Sequence, residues 1–530
     1  MSDMVLRPTP VAHRVSDFVT WYAERTPQAE ASVHEADRLT YAELAARVDA
    51  VARALLAVGV KKGDRVATLA PPHPDYLITF LASASIGAIW MGLNPRYRTD
   101  ELTYVVADAE PSVLFARTSF GDRQYDAEIA AMRAAATSIR QVVALDGTGA
   151  AGTESMAAFL ARGSTVPVDR LAAARAGCGG RDACLLVYTS GSTGRPKGAL
   201  LAHDSIVQFS NGQNRAWPIH DQRFLNYFPI NHVGCVVDMS VPTLAAGGCL
   251  IFMEQFTPDA ALALMVRERV SAWASVPTVF QMQLELPDFA SYDLSAVRLI
   301  IWEGAAMPVE VIRRLRTIVP LMATNYGMTE TTSAITIVYP TEDEDVLANS
   351  VGSAFEGVQL RLADEHGKAV ADGTPGEVQT HSIYNTLGYW RRPDATAAAF
   401  TADGWFRTGD LAVQRPDGRY RIVGRIKEMY KSGGYNVYPR EVEDCIQSHP
   451  DVVMAAVVGC PDPLWQEVGV AFVVGRGTLA AEALEKHCRE HLANYKIPKR
   501  FVLCSELPLL PIGKVDKVEL ARRAQQEATA

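Results

Sequence analysis

Tyr188-Thr189-Ser190-Gly191-Ser192-Thr193-Gly194-Arg195-Pro196-Lys197-Gly198 crowds hydroxyls and glycines around one lysine. Gly191, Gly194 and Gly198 leave the backbone bare and tolerate positive φ, so successive N–H groups can converge on an anion. Thr189, Ser190, Ser192 and Thr193 add hydroxyl donors, and Lys197 adds a mobile positive charge. Such a loop suits a polyphosphate. The P-loop pattern G-x-x-x-x-G-K-[ST] does not describe it: Pro196 stands where the second glycine belongs, and Gly198 replaces the Ser/Thr that reaches magnesium. A plain Gly/Ser linker would not need the apolar run Ala183-Cys184-Leu185-Leu186-Val187 leading into it, which reads as a buried strand.

Further segments could serve a nucleotide and an acid. Asn325-Tyr326-Gly327-Met328-Thr329-Glu330 follows a strand-like run and offers a ring for a purine, a hydroxyl for a phosphate and a carboxylate suited to Mg²⁺. Taken alone, it also reads as a helix cap with an acidic first turn. Trp405-Phe406-Arg407-Thr408-Gly409-Asp410 ends on an acid able to accept both hydroxyls of a ribose, or to close an Asx-turn. Glu303-Gly304-Ala305-Ala306-Met307-Pro308 follows Leu299-Ile300-Ile301-Trp302, and its small residues leave room for a base and an acyl group. Its plain alternative is a strand-to-helix turn with Pro308 at the helix start. Gly433-Gly434 invites close backbone approach. Lys514, in Pro511-Ile512-Gly513-Lys514-Val515-Asp516-Lys517, would by itself read as a solvated lysine on a terminal loop.

The elements that must position these groups alternate. Helical patterns at 39–56, 102–106, 260–270 and 309–318 each lead into a short apolar strand, which argues for parallel sheets covered on both faces. From about Val358 short strands with Gly/Pro/Asp turns suggest a small β subdomain, and an α+β segment of about a hundred residues follows Gly424. Thr341-Glu342-Asp343-Glu344-Asp345 reads as a solvated acidic loop. The 530 residues exceed one core, so two or more domains are expected. A net charge of −9 disfavours nucleic acid. The eight cysteines are scattered without a C-x-x-C pair, suggesting a reducing compartment and no zinc site. Tyr76–Leu93 carries no charge, and Thr79, Ser83, Ser85 and two glycines favour a buried helix running into a strand over a membrane span. The start lacks the apolar core of a signal peptide, and a cytoplasmic location is expected.

In this order, from about Leu39 to Lys517, the segments resemble those of the adenylate-forming superfamily, and within it the acyl-CoA synthetase branch of fatty-acid and aryl-acid CoA ligases. The resemblance implies a large N-terminal domain of stacked α/β sheets (1–424, with a β subdomain from about 350). A hinge at 425–427 and a small mobile α+β C-terminal domain at 428–530 would follow. ATP would contact Thr189, Ser190, Gly191, Ser192, Thr193, Gly194, Lys197, Glu303, Gly304, Ala305, Asn325, Tyr326, Gly327, Asp410 and Arg425. Lys514, Thr329, Glu330 and Lys431 would be catalytic, with Glu330 holding Mg²⁺ and Lys427 at the pivot. His232, Val233, Gly234, Met328, Ser333, Gly433 and Gly434 would line the acyl and CoA pockets, with His232 as the gate. Tyr430 is bulkier than expected for the tunnel wall. The implied reaction joins a carboxylate to ATP as acyl-AMP with loss of pyrophosphate, then passes the acyl group to CoA. Small-molecule carboxylate, ATP and CoA are the implied partners, without nucleic acid or a transmembrane segment; a homodimer stays open. No lysine or arginine falls in the acyl set, so a medium-chain fatty, aryl or alicyclic acid is expected rather than a dicarboxylate. Open alternatives are loading of a carrier-protein thiol or an amino acid, a luciferase-like monooxygenase, and a non-catalytic nucleotide-binding module. Against the amino acid, the position ahead of Gly247-Gly248 where an aspartate would hold an α-amino group falls near Gly234-Cys235.

Overall fold

The computed structural model describes residues 11–147, 152–189, 195–477, 479–510 and 513–529, with side chains to 526. Ser190, Gly191, Ser192, Thr193 and Gly194 of the hydroxyl loop lie outside the described residues.

Two large sheets carry the N-terminal part. The nine-stranded sheet runs, edge to edge, Ser353–Ala354, Ala334–Ile337, Met322–Gly327, Leu299–Trp302, Ala272–Ser275, Arg223–Asn226, Cys249–Phe252, Glu30–His34 and Asp37–Thr40. The seven-stranded sheet runs Lys197–Ala202, Ala183–Thr189, Ile89–Leu93, Arg65–Leu69, Pro111–Ala116, Gln141–Ala144 and Glu154–Ser155. Inner strands pair in parallel and are buried on both faces, which is why they read as continuous apolar runs. The uncharged segment 76–93 is the buried helix Pro74–Ser85 followed by the inner strand Ile89–Leu93. Among the described residues no helix is long and apolar enough to cross a membrane.

Local chemistry sets the boundaries. The first long helix spans Tyr41–Ala57, two residues later than the pattern at Leu39 suggests. Leu39 instead lies in a hairpin strand against Glu30–His34, and Thr40 caps the helix through a reciprocal box with Glu43. The acidic run is not merely solvated loop. Asp343 caps the helix Glu344–Asn349, Glu344 pairs with Arg313 at 2.8 Å, and Asp345 pairs with Arg415.

A four-stranded antiparallel sheet (Gln359–Ala363, Gly376–His381, Phe406–Gln414, Tyr420–Arg425) leads to the turn containing Lys427. The C-terminal unit is built on the antiparallel pair Val452–Asp462 and Gln466–Gly475, flanked by the short strands Tyr430–Ser432, Tyr435–Val437 and Arg500–Leu503. It has its own cores, one including Val442, Ile446, Val457, Leu484 and Cys488. Tyr430 belongs to that core. Its side chain is 2% exposed and fills the space above Gly459 and Gly469, where any Cβ would collide with it.

Candidate active site

Three neighbouring parallel strands, Ala272–Ser275, Leu299–Trp302 and Met322–Gly327, end on one edge of the larger sheet. Parallel strands share a carboxyl-end direction, so the segments that follow them collect there. Glu303 N–H donates to Ser275 O at 3.2 Å, and Thr324 Oγ1 donates to Trp302 O at 2.8 Å. Beyond Tyr326 the chain turns tightly, with Met328 N–H donating to Ser333 O. A Cβ on Gly327 would stand 1.8 Å from that same oxygen, so only glycine permits the turn that presents Thr329 and Glu330.

Glu330 joins the two sheets. Its Oε1 accepts from Thr189 Oγ1, at the end of the strand leading into the hydroxyl loop, and from Tyr389 Oη, both at 3.0 Å. Among the described residues both bonds fall on that one oxygen, leaving Oε2 without a protein donor. A buried carboxylate held by one oxygen with the other available fits a hard divalent cation. Lys197 Nζ lies 5.4 Å from the Tyr389 ring centroid, on the same side of the site.

The second cluster comes from the β subdomain. Asp410 and Arg425 are register partners on adjacent strands, with Arg425 Nε 2.9 Å from Asp410 Oδ1. Tyr326 Oη donates to Asp410 Oδ2 at 2.8 Å. Burial outweighs these partners and holds the Asp410 carboxyl above its usual range.

Lys514 reaches this edge from the far end of the chain. Gly304 has φ +83°, and a Cβ there would lie 2.6 Å from Lys514 Cε and 3.1 Å from Nζ. Burial, then Arg425, lowers the lysine's pKa against the opposing pull of Glu303, Asp410 and Asp238. Glu303 and Lys514 are half-buried, ringed by protein yet still reached by solvent. That is the character of a cleft.

Asp238 is the residue the sequence reading missed. It lies in the π-helical turn Gly234–Ser240, four positions past Gly234, and its Oδ1 accepts from Ser333 Oγ. Glu303 lies beside it and takes a 2.8 Å bond from Asn325 Nδ2. Burial raises both acids, Asp238 to about 6; Asp238 raises Glu303 further, while its hydrogen bond to Glu303 lowers Asp238, so the pair can hold a proton on the Glu303 side. The available signal was a lone acid inside the apolar run Val233–Val241, a position an aspartate occupies only with partners. His232 Nδ1 accepts from Gly234 N–H at 3.0 Å, and burial beside Lys514 pushes its imidazole down to about 3, so it is neutral. Tyr389 was also missed, since no motif surrounds it; only the fold brings it to Glu330.

Thr189, Glu303, Gly304, Asn325, Tyr326, Thr329, Glu330, Asp410, Arg425 and Lys514 thus converge, with His232, Val233, Gly234, Met328 and Ser333 beside them. Lys431, Gly433 and Gly434 do not share these contacts. Lys431 is exposed on a C-terminal hairpin, its N–H donating to Glu467, and Gly433 faces Trp465.

A buried carboxylate at the foot of the strand that leads to the hydroxyl-rich stretch, an acid–tyrosine pair and an inserted lysine are features suited to an enzyme that activates carboxylates with a nucleotide. The AMP-binding enzyme family matches residues 19–390, and the AMP-binding enzyme C-terminal domain matches 441–514. Feruloyl-CoA synthase of Amycolatopsis sp is 37% identical over 509 residues, covering 94% of this chain and 97% of the relative. Indoleacetate–CoA ligase of Aromatoleum aromaticum is 36% identical, covering 97% and 100%. The crystal structure of ATP-bound MatB from Rhodopseudomonas palustris superimposes with a TM-score of 0.85 at 31% identity, covering 96% of this chain and 99% of that one. The chain belongs to the AMP-binding enzyme family, in its acyl-CoA synthetase branch, and is an AMP-forming acid–thiol ligase using ATP and CoA.

Proposed function

We propose that the enzyme activates a monocarboxylate whose tail is uncharged, an aryl or alicyclic acid ahead of a medium-chain fatty acid. The observation that carries this is the seat of Lys514 against Gly304, beside the Asp238–Glu303 pair. Lys514 meets the substrate carboxylate at the mouth of the pocket, while the acid pair behind it repels a second carboxylate. The feruloyl and indoleacetate specificities named for the two relatives agree with an aromatic tail.

Adenylation needs no protein nucleophile. Its demands are alignment of two anions and neutralisation of developing charge. Lys514 and Thr329 serve the α-phosphate, Tyr326 the adenine, and Asp410 with Arg425 the ribose. Lys197 and the hydroxyl loop hold the outer phosphates. Mg²⁺, when bound at Glu330, supplies positive charge to the phosphates; Thr189 and Tyr389 hold that carboxylate in place. Neutral His232 stands between the acyl site and the thiol's approach. Thioester formation then uses the face bearing Gly433, Gly434 and Lys431, which requires the domain 428–530 to turn about 425–427. Cytoplasmic residence is part of this reading, supported by eight free cysteines.

A screen of carboxylates by pyrophosphate release tests it. Aryl and alicyclic monocarboxylates should lead, with AMP and an acyl-CoA as products. Preference for a dicarboxylate, or hydrolysis to ADP, overturns the proposal.

A further inference from the structure

Outside the catalytic cleft, the C-terminal domain gathers a second group of chemically capable side chains. Cys445, on the helix Pro439–Gln447, meets His487 and His491, on the helix Ala481–His491. Their candidate ligand atoms all lie within 4.8 Å of one another. His487 and His491 are one helical turn apart and so share a face, with ring centroids 4.5 Å apart. Both helices are anchored below by the packed core of Val442, Ile446, Leu484 and Cys488. The cluster therefore sits on a rigid base.

The backbone sets the histidine orientations. His491 Nδ1 lies 2.8 Å from His487 O, a carbonyl that can only accept, so Nδ1 carries the proton and Nε2 presents its lone pair. His487 Nε2 lies 3.0 Å from Cys445 O, so Nε2 carries the proton and Nδ1 presents its lone pair. A carbonyl behind the non-ligating nitrogen is the usual support of a metal-binding imidazole. His449 completes the edge, its ring 5.3 Å from that of His487. Its Nδ1 accepts from Asp451 N–H at 3.2 Å, however, which leaves its Nε2 protonated and unable to ligate.

From this geometry we infer a divalent metal site at Cys445, His487 and His491, completed by water and suited to zinc. One thiolate with two imidazoles is a borderline-soft set, unsuited to Mg²⁺ or Ca²⁺ and favoured by Zn²⁺. Tetrahedral zinc with sulfur near 2.3 Å and nitrogen near 2.0 Å places its ligand atoms roughly 3.5 Å apart, so the set must close by about 1 Å. The exposed His491 side chain can supply that movement. Binding ties the two helices together within the C-terminal domain and leaves the catalytic cleft untouched. The spacing C-x₄₁-H-x₃-H crosses a strand pair, which hid the site from any local motif.

The test uses full-length protein stripped with chelator, desalted and titrated with Co²⁺ alone. One equivalent per chain should give a near-ultraviolet thiolate-to-cobalt band and intense visible bands of tetrahedral cobalt, both discharged by Zn²⁺. Cys445→Ser should abolish the thiolate band. His491→Gln, at an exposed position that does not threaten folding, should weaken binding at least about tenfold, since a direct ligand is worth no less than a supporting one. Cys488, whose thiol lies within hydrogen-bond reach of Cys445, provides the control: Cys488→Ser should keep the spectrum. Weak octahedral bands only, or a thiolate band that survives Cys445→Ser or is lost in Cys488→Ser, overturns the assignment.

Discussion

Replacing Gly304 by alanine separates folding from catalysis. At φ +83° an L-residue costs about 1–2 kcal/mol of backbone energy. The new Cβ would also stand 2.6 Å from Lys514 Cε. That overlap is cheap for stability, because the end of a lysine side chain can swing aside. It is expensive for adenylation, because the displaced tip is the ammonium that must meet the carboxylate and α-phosphate. A misplacement of about 1 Å lowers rate roughly 10²-fold, or about 2.7 kcal/mol of barrier. Gly418→Ala is the matched control, at φ +81° with nothing within 4 Å. Both variants should lose similar Tm, while only Gly304→Ala loses pyrophosphate exchange, and the transfer of preformed acyl-adenylate to CoA should persist. Retention of exchange within a few-fold, or equal loss of both half-reactions, would refute the reasoning.

Lys514→Ala should lose adenylation by about 10²-fold or more yet still consume synthetic acyl-adenylate, as stopped-flow measurement of each half-reaction will show. Asp410→Asn removes the charge facing Arg425 and an acceptor for ribose, so KM for ATP should rise about tenfold or more while KM for the acid changes little. Glu330→Gln can keep the bonds to Thr189 and Tyr389 through its amide oxygen but removes the negative charge that a cation would meet; a Mg²⁺ titration should show a higher requirement and a lower plateau. Asp238→Asn tests the buried acid. With its pKa raised to about 6, Asp238 favours folding while protonated, and this contribution is full below about pH 4 and lost as pH rises through 6. The stability advantage of the asparagine variant over the parent, followed by denaturant unfolding, should therefore grow from pH 4 to 7, toward about 3 kcal/mol at most. An advantage independent of pH would place the ionisation elsewhere.

Much of the site was legible because its chemistry is local. Thr189 and Asn325–Gly327 close strands of the two large sheets, and alternation of strand and helix alone indicates where strand ends gather; Asp410 instead lies within a strand of the β subdomain. Boundaries were less legible. Leu39 was drawn into a tight hairpin with Ser32, and Tyr430 into a core by Gly459 and Gly469, partners about thirty to forty residues on.

By itself the sequence pointed to a polyphosphate site, through hydroxyls and glycines gathered around one lysine and the ordered segments that resemble a known superfamily, and determined the α/β character, through the two periodicities of apolar residues. Tertiary structure alone decided that Asp238 faces Glu303, that Tyr389 steadies Glu330 and that Lys514 lies on Gly304. Each pairing spans tens to hundreds of residues, and burial, which raises the acids and lowers the lysine, is a property of the packed whole and of no segment within it.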